Sequence, residues 1–133
     1  MGGLTEILIT NTTSNPKIYA TVTGENPDRN FVGVWESTTG NAGSWTRIAG
    51  GTQNAADSIP GWRPYGRWGR VVLGQNGAAN QLFVLYKNGE SATGSNPKPE
   101  ADLYRANITG TLPAYTWTNL NAYVPDEPNY NEE

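Results

Sequence analysis

"LTEILITNTTSNPKIYATV" (residues 4–22) lies over "WGRVVLGQNGAANQLFVLY" (68–86) at an offset of 64 with no gap. Ile7, Leu8 and Ile9 fall on Val71, Val72 and Leu73, and Ile18 and Tyr19 fall on Leu82 and Phe83. Further along, "GVWES" (33–37) matches "DLYRA" (102–106) at an offset of 69, which sets Trp35 on Tyr104. "WTRI" (45–48) matches "WTNL" (117–120) at an offset of 72. The offset grows only across polar, Gly- and Pro-rich stretches, where insertions belong, so the pattern is that of an internal repeat.

Each copy holds four strand-like segments. They are expected at about 5–10, 17–22, 32–37 and 45–48 in the first copy, and at about 69–74, 81–87, 102–106 and 116–120 in the second. The opening segment of each is a continuous aliphatic run, which predicts a strand buried on both faces. The later segments mix aromatic and polar residues, as expected nearer an edge. "SNP", "GENPD", "TTGN", "QNG" and "SNPKP" supply turns between them. Two consecutive four-stranded antiparallel meanders predict an all-β chain of two β-propeller blades, a partial propeller. The expected division is a first blade over 1–48, a connection over 49–66, a second blade over 67–123 and an acidic tail over 124–133. Trp35 and Trp45 are expected to be buried in the first blade, with Tyr104 and Trp117 as their counterparts.

The composition agrees with short strands and many turns. Of 133 residues 36% are hydrophobic and 16% charged, while Gly (16) and Pro (9) are abundant. The absence of Cys and His removes thiol nucleophiles, disulfides, Ser-His-Asp triads and most zinc or copper sites. No metal site and no cofactor are expected. A net charge of −3 argues against general nucleic-acid binding. No apolar run approaches the length of a membrane span. The opening "MGGLTEILIT" has neither a basic n-region nor an apolar h-region, so no signal peptide is expected within it. "NTT" (11–13) and "NIT" (107–109) fit the N-glycosylation pattern, which chains rich in Asn and Thr also produce by chance.

The stretch "STTGNAGSW" (37–45) resembles the Asp-box, or BNR repeat, whose usual form is Ser-x-Asp-x-Gly-x-x-Trp. Ser37 and Trp45 match its ends with one residue inserted, and the Asp position reads Thr39 or, in another register, Asn41. In the second copy the segment from Asn107 to Trp117 keeps only the Trp and the turn. "SNPKIYATV" likewise resembles the second strand common in such propellers, and the resemblance covers about residues 4–120. Blades of this family occur in sialidases, xyloglucan-cleaving glycosidases, sortilin-type receptors and large secreted bacterial proteins. The resemblance therefore implies a secreted or cell-surface location. In the family the box is a structural turn remote from the catalytic face, so it implies fold and not activity. Its expected logic is local: a polar side chain takes up free backbone N–H groups, and Gly permits positive φ.

The remaining chemistry gathers in "GWRPYGRWGR" (61–70), just before the first strand of the second copy. One reading is a linker whose aromatics pack between sheets. The other is a ligand platform in which Trp62, Tyr65 and Trp68 stack on a ligand and Arg63, Arg67 and Arg70 supply hydrogen bonds. A sialidase-like arginine triad is not expected, since that family draws its arginines from different blades. Carboxylates that would suit a glycosidase are Glu6, Asp28, Glu36, Asp57, Glu90, Glu100 and Asp102. None sits in a motif that fixes it, and a solvated surface position is the expectation for most; no catalytic residue is assigned.

The expected function is a non-catalytic propeller segment of a secreted or cell-surface protein that binds a glycan or protein partner or self-assembles. The alternative is a fragment of a propeller glycoside hydrolase whose catalytic residues lie outside this chain. Closed propellers need about four to eight blades, and two are present. The expected partners therefore include further copies in a homo-oligomer, or the other blades of a longer propeller.

Overall fold

The structure, a computed structural model, describes residues 3–10, 16–23, 32–50, 71–76, 80–87, 101–108 and 115–124. Those residues form two four-stranded antiparallel sheets, with strand orders β1-β2-β3-β4 and β5-β6-β7-β8. The first sheet holds β1 (Gly3–Ile9), β2 (Ile18–Thr23), β3 (Gly33–Ser37) and β4 (Thr46–Ala49). The second holds β5 (Val71–Asn76), β6 (Gln81–Lys87), β7 (Ala101–Asn107) and β8 (Thr116–Asn119). The helical content among the described residues is one 3-10 turn, Asn121–Tyr123. The all-β expectation holds, and each expected strand lies within about two residues of an observed one.

The repeat is visible in the strand registers. Tyr19 opposes Glu36, and at the sequence offsets this maps to Phe83 opposing Arg105, which is the observed pair. Trp35 opposes Arg47, and Tyr104 opposes Asn119 in the same way. The first strand departs from the ungapped match. Ile9 opposes Ile18, but Leu73 opposes Val84 instead of Leu82. Relative to β6, β5 is therefore slid by two residues. The second hairpin stays paired through Asn76 and Gln81, whereas the first stops at Ile9 and Ile18. A two-residue slide preserves which side chains share a face, so the hydrophobic pattern tolerates it.

Directly opposed residues of neighbouring strands share a face, which assigns each sheet its two sides. On the first sheet Leu8, Tyr19, Val34 and Ala49 point toward the second. On the second sheet Val71, Leu73, Leu82, Val84, Tyr104 and Ala106 point back. These side chains form one shared core, with Val32, Ile108 and Tyr115 added at its margins. Under the repeat, however, the partners of Leu82, Val84 and Tyr104 are Ile18, Ala20 and Trp35, which lie on the opposite side of the first sheet. The sheets thus pack front to back, with non-equivalent faces meeting. Equivalent strands nevertheless run beside each other. At one end of the seam Leu73 N–H donates to Glu6 Oε2 at 2.6 Å, joining β5 to β1. At the other, Trp117 Nε1–H donates to the Ile48 carbonyl at 3.2 Å, joining β8 to β4.

Two burial expectations are corrected. The opening strands are buried on one face only: Ile7 is 54% exposed, Ile9 61% and Val72 40%. An aliphatic run reports that both faces are apolar, and here only one of them is covered. Trp35 and Trp45 are half-buried, as is Trp117, while Tyr104 is fully buried. Trp35 lies on the open side of the first sheet, where the Arg47 guanidinium sits 5.9 Å from its ring centroid.

The turn from β3 to β4 works as its sequence suggests, although Ser37 does the main part. Its Oγ accepts from the N–H of Thr39 at 3.1 Å and of Gly40 at 2.8 Å, and shares a 2.6 Å hydrogen bond with Ser44 Oγ. Thr39 Oγ1 adds a weaker contact from Asn41 N–H at 3.3 Å. Gly40 and Gly43 take φ of 76° and 81°. At the other end of these strands the backbones of Gly33 (φ 142°) and Gly50 (φ 123°) nearly touch. A Cβ on Gly33 would stand 2.1 Å from the Ala49 carbonyl oxygen.

Candidate functional site

Trp62, Arg63, Tyr65, Arg67, Trp68 and Arg70 all lie outside the described residues, as do Asp28, Asp57, Glu90 and Glu100. Residues 51–66 of the expected 49–66 connection and most of the tail lie outside them too. Among the described residues no group of three or more potential metal ligands occurs, and no helix is long and apolar enough to cross a membrane.

The three described carboxylates are Glu6, Glu36 and Asp102, and none occupies the solvated surface position expected for most of the set. Glu36 is 1% and Asp102 2% exposed. Strand alternation accounts for Glu36: it shares a face with Val34, two positions before it, and opposes Tyr19 across the ladder. That face is the covered one. Asp102 accepts a hydrogen bond from Asn121 Nδ2, while Asn121 Oδ1 accepts from Leu103 N–H at 2.8 Å. The pair pins the 3-10 turn to β7. Glu6 holds the Leu73 amide, as described above.

Around Glu36 the structure assembles a polar cluster at the seam. Thr10 fixes Lys17 at the mouth of the first hairpin: its N–H donates to the Lys17 carbonyl at 2.9 Å and its Oγ1 accepts the Lys17 N–H at 3.0 Å. The Lys17 ammonium then pairs with Glu36 Oε1 at 3.4 Å. It also donates to the Tyr115 hydroxyl and to the Ile108 carbonyl, the latter at 3.4 Å. Its Nζ stands 4.9 Å from the Tyr115 ring centroid. Tyr115 in turn donates its hydroxyl proton to Glu36 Oε2 at 2.5 Å. The fully buried Tyr19 hydroxyl lies beside Glu36 and Tyr115, yet among the described residues no partner stands in good hydrogen-bonding geometry to it.

Burial is the main force on both phenols. It pushes the ionisation of Tyr19 far above its ordinary value, with the Glu36 charge adding to it. Burial likewise raises Tyr115, and the hydrogen bond to Glu36 reinforces the shift. Both hydroxyls therefore stay neutral, and Tyr115 relays a single line of hydrogen bonds from Lys17 to Glu36. Glu36 lies on β3 and Lys17 just before β2 of the first sheet, while Ile108 directly follows β7 and Tyr115 directly precedes β8 of the second. With Tyr19, Glu36 and Tyr115 buried in the core and Lys17 partly exposed, the cluster acts as a polar clamp between sheets.

Sequence reasoning singled out Glu36 but missed its cluster. The signal was present: in "VWES" a carboxylate holds a position in phase with Val34 and opposite an inward aromatic. A charge on the core face of a strand calls for partners. No family model, curated protein or solved structure matches this chain.

Proposed function

We propose that the chain is a non-catalytic, two-blade segment of an Asp-box β-propeller, belonging to a secreted or cell-surface protein and binding a glycan or protein partner through the 61–70 loop. The observation that supports the blade reading most is the front-to-back packing. Two copies of one meander lie side by side with equivalent strands adjacent and non-equivalent faces in contact, as repetition around an axis requires. The hydrogen bonding of Ser37 within 37–45 suits the box-like turn. The non-catalytic reading draws on the three described carboxylates, each of which is committed to backbone, to a neighbouring side chain or to the core.

The test of the ligand is a glycan array probed with the chain and with Trp62→Ala, Tyr65→Ala and Trp68→Ala variants. Binding by the parent chain that is lost in the variants is the expected result. An empty array with capture of a protein partner, abolished by the same substitutions, directs the reading to protein recognition. Hydrolysis of any glycoside by this chain alone overturns it.

A further inference from the structure

The front-to-back packing leaves two faces open, and they are not alike. The first sheet exposes Ile7 (54%) and Ile9 (61%) beside half-buried Ile18 and Trp35. The second exposes Val72 (40%) and Leu85 (37%) beside half-buried Phe83 and Leu103. Through the repeat, the open face of the first sheet is the counterpart of the face that the second sheet inserts into the seam: Ile18 corresponds to Leu82 and Trp35 to Tyr104. The open face of the second sheet is the counterpart of the face that receives it, since Phe83 corresponds to Tyr19 and Leu103 to Val34. One chain therefore carries an unfilled copy of each half of its own internal seam.

We infer that the open faces bind each other between copies of this chain. The Ile7–Ile9–Trp35 face of one copy seats on the Val72–Phe83–Leu85 face of the next, continuing the existing seam. The contact is head-to-tail, because the two surfaces differ. Its polar centre differs from that of the internal seam. Arg105 replaces Glu36 at the equivalent position, and the 37–45 turn, exposed over 38–43, replaces the segment leading to Tyr115. A guanidinium thus stands where, in the internal seam, a carboxylate meets Lys17 and Tyr115. The inference rests on the two-blade part of the proposed function and not on its ligand, so an empty glycan array leaves it standing.

A mixing experiment separates head-to-tail association from the alternatives. One variant carries Ile7→Lys and Ile9→Lys on the first open face, and the other carries Val72→Lys and Leu85→Lys on the second. All four side chains are solvent-exposed, and circular dichroism verifies that each variant keeps its β fold. In light scattering at high micromolar concentration, the parent chain is expected at two or more times the mass of one copy. Each variant alone is expected at the mass of one copy. An equimolar mixture is expected to give a one-to-one heterodimer, since each variant retains the half that the other lacks. A monomeric parent chain overturns the inference. So does either folded variant that still dimerises by itself, which would mean that like faces pair, and so does a mixture of folded variants that stays monomeric.

Discussion

Tyr19 and Tyr115 place two hydroxyls beside one carboxylate, and they differ in what they return for their burial. Tyr115 donates to Glu36 and accepts from Lys17, so Tyr115→Phe leaves a buried carboxylate short of a donor. The expected loss is about 1–3 kcal/mol of unfolding free energy. Tyr19→Phe removes a buried hydroxyl that makes no hydrogen bond in good geometry among the described residues, so its stability should be equal to or above that of the parent in urea titration. Glu36→Gln breaks the ion pair with the partly exposed Lys17 and weakens the acceptor of the Tyr115 hydrogen bond, and should cost about 1–3 kcal/mol. A Tyr19→Phe variant weaker than Tyr115→Phe would mean that the roles are assigned the wrong way round. The pH dependence follows from the same pair. Both phenols ionise above their ordinary 10.0 when folded. The stability they contribute is complete below the unfolded value and is lost as pH climbs through and beyond it. Alkaline unfolding should therefore set in above about pH 10, and Tyr19→Phe should move its midpoint upward.

At the scale of single elements, β3 and β4 depend on two details of backbone geometry. Gly33 has a positive φ and no room for a methyl group against Ala49, so Gly33→Ala should destabilise by more than about 2 kcal/mol. Ser37→Ala removes the acceptor for two turn amides and should cost about 1 kcal/mol, measurable in the same titration. The strands themselves were legible because aliphatic runs alternate with Gly, Pro and Asn. The pairing of β2 through β4 was legible too, since the offsets of 64, 69 and 72 map Tyr19–Glu36 and Trp35–Arg47 onto observed pairs. The slide of β5 was hidden because Val71, Val72 and Leu73 look equally apolar when shifted by two. The exposure of Ile7 and Ile9 was hidden for a related reason: an apolar pattern states what a face can cover and not whether anything covers it. Glu36 was visible as a carboxylate on a strand. Its partners Lys17 and Tyr115, 98 residues apart, meet only when the two sheets dock.

At the scale of the whole molecule, the core belongs to neither sheet alone. Leu82 and Val84 are fully buried against side chains of the first sheet, so the sheets should unfold in one transition. Leu82→Ala should lower the stability of both together by about 2–5 kcal/mol, and two separate calorimetric peaks would contradict a shared core. The topology also sets an order of events in time. Among the described residues all strand pairing joins neighbours in sequence, whereas the seam joins residues 67 to 98 apart: Glu6 to Leu73, Ile48 to Trp117 and Lys17 to Tyr115. Closing a short loop costs less entropy than closing a long one, so each meander is expected to form before the two dock. Seam substitutions such as Glu6→Gln and Trp117→Phe should then act chiefly by accelerating unfolding, and turn substitutions such as Ser37→Ala by slowing refolding. In stopped-flow experiments the two classes should bend opposite arms of the chevron, which makes the front-to-back seam the late-closing latch of a chain whose halves assemble separately.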